Sequence, residues 1–231
     1  DLILGIAALP NVAIEGIYTH LPFSDAAGRE WARGCHGGFE SLLARLAAAG
    51  IRPPVTQVWA RSGLLAGLAD RCNTVCVGHL LYGLSPVEDA VADSGAFKPV
   101  MAAIKTRLIH IAHHAAGYDL AIGGAYAMRN ARVTGVVPLG LGDGMRSAAD
   151  GLATSFLING RRAPVLGLSL EHATLDLTGI HGAQVGDEVV VIGESGNERN
   201  GFRDLARWFR CGELEAVMAF SGRLAVQLRD R

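Results

Sequence analysis

The chain has 231 residues, 50% of them hydrophobic, with 21 basic and 22 acidic side chains and a net charge of −1. That is enough apolar material for one large or two modest cores, and the near-neutral balance without a long basic run argues against nucleic acid or an anionic membrane as partner, leaving a small molecule as the expected ligand. The longest apolar stretches, Leu2 to Pro10 and Asp187 to Gly193, fall well short of the roughly 20 residues a membrane span needs, and the four cysteines lack paired C-x-x-C spacing, which fits a reduced, cytoplasmic protein.

From Val12 to Ile17 a β-branched apolar stretch runs into Tyr18-Thr19-His20-Leu21-Pro22, the pattern of a buried strand ending in a loop. A helix follows, capped by Ser24 or Asp25, with Trp31, Phe39, Leu42, Leu43 and Leu46 at helical spacing until Gly50 stops it before Pro53-Pro54. Val55 to Ala60 reads as a second strand, Ser62 to Ala69 as a short helix, and Thr74 to Tyr82 as a third strand. Such βα alternation with near-continuously apolar strands predicts a parallel sheet.

After about Val91 the pattern changes. Lys105 to Ala112, Arg132 to Pro138, Ser155 to Leu166, Ala173 to Leu177 and Glu188 to Ile192 read as strands separated by turn residues. Asn159-Gly160 is a hairpin signal, because both central positions of a type I′ turn need positive φ. Phe202 to Phe209 and Glu213 to Phe220 read as helices, and Leu224 to Leu228 as a last strand. The expected fold class is therefore α/β plus all-β, with residues 1–92 in the first domain and 93–231 in a mainly antiparallel β-domain. Three parallel strands leave apolar faces and edges uncovered, so further chain is expected to complete the first domain.

Several segments carry a family resemblance. Gly16-Ile17-Tyr18-Thr19-His20-Leu21-Pro22-Phe23-Ser24-Asp25, Arg61-Ser62-Gly63, and Gly78-His79-Leu80-Leu81-Tyr82-Gly83-Leu84-Ser85-Pro86 resemble the stretches at the sixth, seventh and eighth barrel strands of alanine racemases. Gly124-Ala125-Tyr126, Val136-Val137-Pro138-Leu139-Gly140-Leu141-Gly142-Asp143-Gly144 and Val185-Gly186-Asp187-Glu188-Val189 resemble segments of that family's C-terminal β-domain. The resemblance implies the last three strands of a TIM-type (β/α)8 barrel followed by the β-domain. It places on the order of 150 residues, five βα units, before Asp1.

The same resemblance implies pyridoxal 5'-phosphate as cofactor and racemisation of a small amino acid at Cα as the reaction. His20 then borders the cofactor ring, Ser62 binds its phosphate, and the backbone of Gly78 and His79 completes the phosphate cup; no metal is implied. The family's Schiff-base lysine lies on the first barrel strand. The only lysines here are Lys98 and Lys105, near the start of the β-domain. Leu141 stands where the family has its catalytic tyrosine, Cys76 where an arginine faces the pyridine nitrogen, Leu228 where a tyrosine lies near the phosphate, and Ser169-Leu170-Glu171 where the family has C-M-D. Racemisation needs a titratable group on each face of Cα, and this chain supplies neither. No catalytic residue is therefore assigned to it. Two expectations result: a racemase of which this is the C-terminal portion, working as a homodimer or completed by an N-terminal segment, or a non-catalytic binding or regulatory descendant that keeps the dimer scaffold.

Structural alternatives accompany each residue. His20 can pack at a strand end, and Ser62 can serve as a helix N-cap. His110, His113 and His114 lack a carboxylate or cysteine that would complete a metal set. Cys76 reads as a small buried side chain, and Asp143, between glycines, as a turn former.

Overall fold

In the computed structural model residues 2–84, 100–119, 129–149, 151–220 and 222–228 are described. The chain separates into two compact units, Asp1–Val100 and Met101–Arg231. The expected boundary between residues 92 and 93, Ser85-Pro86 and the Gly124-Ala125-Tyr126 segment lie outside the described residues. The architecture is α/β in the first unit and a mainly antiparallel sheet in the second.

The first unit opens with a short helix, α1 (Leu2–Ala7), followed by β1 (Gly16–Leu21), α2 (Ala26–Ala48), β2 (Val55–Trp59), α3 (Arg61–Leu65) and α4 (Gly78–Leu81). β1 sits a few residues later than the apolar run suggested and includes Tyr18-Thr19-His20. It pairs with β2 in parallel, Gly16 opposite Val55 and Tyr18 opposite Gln57. Asp25 caps α2, its carboxylate accepting the Gly28 N–H at 2.7 Å, which satisfies one of the donors a helix start leaves over. Ala32, Phe39 and Leu46, seven residues apart, form the buried stripe of α2, whereas Trp31 is exposed.

Side chains alternate across the strands. Ile17 and Val58 join Leu21, Ala32, Phe39 and Trp59 in the core beneath α2. The opposite face carries Tyr18, 75% exposed, and Val55, 45% exposed. The sheet of this unit is thus covered on one side.

The third strand expected over Thr74 to Tyr82 is not formed. Thr74 makes a single parallel bridge to Gln57, and the Cys76 N–H reaches the Trp59 carbonyl at 3.4 Å. Residues 78–81 are helical instead. Leu80 is buried and Leu81 exposed, and a short apolar run of this kind does not by itself distinguish a helical turn from a strand.

In the second unit β3 (Ile104–Arg107), β4 (His110–His114), β5 (Arg132–Val137), β6 (Ser155–Ile158), β7 (Arg161–Leu168), β8 (Ala173–Asp176), β9 (Glu188–Ser195) and β10 (Glu198–Asn200) form a sheet of order β10-β9-β6-β7-β8-β5-β4, with β3 also on β9. α5 (Phe202–Phe209) and α6 (Glu213–Met218) follow. The run expected as one strand from Lys105 to Ala112 is two. At Leu108 and Ile109 it changes partner, Leu108 donating to the Asp187 carbonyl and Ile109 to the Val136 carbonyl. Because β3 and β4 lie at opposite ends of the strand order yet are nearly consecutive in sequence, the sheet rolls round on itself. Its core is Phe156, Leu157, Ile158, Leu175, Val189 and Val191, each essentially inaccessible.

The β6–β7 hairpin turns at Asn159 (φ 50°) and Gly160 (φ 73°), as the sequence predicts. The strand expected over Leu224 to Leu228 has no ladder partner among the described residues, and Val226 and Leu228 are 85% and 95% exposed. Alternating apolar residues make a strand only when a neighbour takes the backbone hydrogen bonds. Buried Asn200 joins three strands, donating to the Ser155 and Val191 carbonyls and accepting from Arg162. Among the described residues no helix is long and apolar enough to cross a membrane.

Candidate functional site

In the first unit His20 lies near the carboxyl end of β1 and Ser62 just beyond that of β2. His20 is the penultimate residue of β1, exposed on the face opposite α2. Two residues beyond the strand the chain is tied to α3, because the buried Ser62 hydroxyl accepts the Phe23 N–H at 3.0 Å. Ser62 is not the N-cap of α3; Ala60 holds that position and Ser62 lies inside the helix. The fixed point thus joins the β1 loop to the helix after β2.

Gly63 makes this approach close. A Cβ there would stand 2.7 Å from the Trp59 ring, so only glycine lets α3 lie so near β2. α3 packs on α4, whose first residues are Gly78 and His79. Cys76 lies just ahead of them, partly buried, its backbone bonded to Trp59. A serine hydroxyl that accepts one bond keeps its own proton to donate, so Ser62 can still offer a hydrogen bond to an anionic oxygen. A thiol at Cys76 offers a ring nitrogen no fixed positive charge, so this end of the site lacks the group the resemblance called for.

Ser62→Ala leaves the Phe23 N–H without its acceptor. We expect a loss of about 1–2 kcal/mol, measured by urea unfolding, since a part-buried donor forfeits its partner.

In the second unit Leu141 lies in a single 3₁₀ turn, Leu141–Asp143, and is 46% exposed. Its N–H donates to the Ser169 carbonyl at 3.0 Å and that of Gly142 to the Leu170 carbonyl at 2.7 Å. The structure therefore joins two segments the sequence kept apart, the Leu141 turn and Ser169-Leu170-Glu171. Asp143 shapes the turn, its carboxylate accepting the Gly140 N–H at 2.8 Å. Arg223, which sequence reasoning missed, pairs with both Asp143 and Glu171. Leu228, at the family's second tyrosine position, projects into solvent.

The remaining titratable clusters have local roles. His114 shares a hydrogen bond with Thr134 at 2.9 Å and stacks on Tyr118. No group of His, Cys, Asp or Glu among the described residues is placed to hold a metal. None of the cysteines forms a disulfide. Burial raises the Cys72 thiol above its ordinary range.

The family model for the alanine racemase N-terminal domain matches residues 1–86, and that for the alanine racemase C-terminal domain matches residues 101–228. The alanine racemase of Desulfosudis oleivorans is 30% identical over 96% of this chain and 56% of its own length. That of Symbiobacterium thermophilum is 30% identical over 95% of this chain and 58% of its own. The crystal structure of alanine racemase from E. faecalis superposes with a TM-score of 0.80 at 26% identity, over 96% of this chain and 58% of that one. The Clostridium difficile alanine racemase in complex with cycloserine gives 0.84 at 23% identity, covering 96% of this chain and 58% of its own, a likeness of fold. The chain spans a little over half the length of the relatives it matches.

Proposed function

Because the chain belongs to the alanine racemase family, we propose that it is the C-terminal portion of a pyridoxal-phosphate-dependent amino-acid racemase, residues 1–92 being the end of a TIM-type barrel and residues 93–231 the β-domain. The uncovered face carrying Tyr18 and Val55 would line the barrel interior, and the preceding strands would pair along the edge of β1. Completion comes from an N-terminal segment, and the working unit is a homodimer in the cytoplasm acting on a small amino acid.

The observation that supports this reading is the Ser62–Phe23 hydrogen bond, which ties the loop just beyond His20 to α3, the helix that packs on α4. Ligands in parallel α/β folds bind at the carboxyl ends of the strands. When bound, pyridoxal phosphate supplies an electron sink for the charge that develops at Cα. Ser62 would donate its hydroxyl proton to a phosphate oxygen while keeping the Phe23 N–H, the Gly78 and His79 amides would orient the same group, and His20 would border the ring. Cys76 contributes no counter-charge at the ring nitrogen. Leu141 carries no proton. Each general acid or base is worth about 10²–10⁴-fold, so a protein with leucine here racemises slowly.

Protein expressed from the reading frame extended upstream of Asp1 tests this. With added pyridoxal phosphate it should exchange deuterium slowly from solvent into Cα of alanine, and not without the cofactor. A second reading, a non-catalytic descendant that binds but does not turn over, is favoured by Leu141, Cys76 and Leu228. Bound cofactor without any exchange would establish it.

A further inference from the structure

The Leu141 turn is held by more than its own backbone. Asp143 is 7% exposed; its Oδ2 accepts the Gly140 N–H, and its Oδ1 lies 3.3 Å from Arg223 Nε. The same guanidinium reaches Glu171 Oε1 through Nη2 at 3.1 Å. Its Nη1 lies 3.1 Å from where a Cβ on Gly142 would stand. One side chain thus touches both loops at once, from a third segment whose backbone at Ala219 and Phe220 packs on Gly144.

The arms differ in strength. A buried carboxylate is tolerable only when it is paired and hydrogen-bonded, so the Asp143 arm holds most of the structure. Glu171 is more than half exposed, and solvent screens that arm. Arginine suits the place because its rigid planar fork serves two acceptors in different directions, which a lysine ammonium on a flexible stem does less well. Leu141 and Leu170, 46% and 64% exposed, sit at the outer surface of the locked unit.

We propose that Arg223 is a positioning residue that makes the Leu141 turn and the Ser169–His172 loop one rigid body. Its effect on turnover rests on the racemase reading; its effect on the loops does not. The test is amide hydrogen exchange on the full protein, followed in peptides covering residues 139–146 and 167–173. Arg223→Gln should speed exchange at the Leu141 and Gly142 amides about tenfold while β9 stays protected, because local opening is uncoupled from global unfolding. Glu171→Gln should do less than Arg223→Gln, and Arg223→Lys should restore part of the protection. In the same protein, Arg223→Gln should raise KM for alanine several-fold with a smaller change in kcat, the pattern of binding lost equally from ground and transition state. Unchanged protection at residues 141–142, or loosening spread evenly into β9, would overturn the proposal. Absence of any Cα exchange in the unsubstituted protein would remove the racemase reading and leave the loop result to stand or fall alone.

Discussion

Leu141→Tyr in the extended protein should raise the rate of solvent deuterium exchange at Cα of alanine by about 10²-fold or more, the scale of one general acid or base. The substitution puts a titratable hydroxyl at the position where the family resemblance sets the catalytic tyrosine. The turn can accept the larger side chain. Leu141 is 46% exposed, and its place is fixed by the backbone bond to Ser169 and by Asp143 beneath it, not by packing of its own side chain. Thermal unfolding of the variant should match that of the unsubstituted protein, which separates a chemical gain from a change in folding. An unchanged exchange rate in a well-folded variant would mean that the missing proton carrier is not what limits the reaction.

Gly144→Ala should destabilise the second unit by about 3–5 kcal/mol, near the upper end for single substitutions. Gly144 has φ +109°, and a Cβ there would lie 2.2 Å from the Ala219 carbonyl oxygen and 2.6 Å from the Phe220 Cα. Strain in that backbone region costs about 1–3 kcal/mol, and the overlap is with main chain, which cannot rotate aside. The segment leading to Arg223 must move. Gly151→Ala is the control, because its φ is +77° with nothing within 4 Å of the added carbon, so only the strain remains. Urea unfolding of both variants measures the difference. Equal losses would show that the close approach of residues 144 and 219 contributes nothing.

Elements governed by local chemistry were readable in the sequence. A cap at Ser24 or Asp25 and the spacing of Phe39 and Leu46 announce α2, although Trp31, expected on the same stripe, is exposed; α5 matches its predicted bounds at Phe202 and Phe209, and Asn159-Gly160 announces its hairpin. Where two periods compete over a few residues, the sequence misled: Leu80 and Leu81 belong to a helical turn but sit in a run that also fits a strand. The break at Leu108 was hidden for a different reason, since a change of strand partner leaves no mark on an apolar run. At the site, motifs pointed to His20, Ser62 and Gly78, yet not to the bond between Ser62 and Phe23. Arg223 was invisible because its partners, Asp143 and Glu171, are remote in the chain and meet it only after the sheet has folded. An arginine in a segment expected to be the approach to a strand carries no local signal.

On the proposed function, this chain holds the phosphate-binding end and the β-domain of a racemase, and the lysine that anchors the cofactor lies on a segment before Asp1. Titration of pyridoxal phosphate, followed by the visible absorbance of the protein-bound cofactor after gel filtration, tests it most directly. The 231-residue chain alone should emerge colourless, and protein from the extended reading frame should retain the colour and lose most of it on Ser62→Ala. Colour retained by the chain alone, or none in the extended protein, would contradict the account.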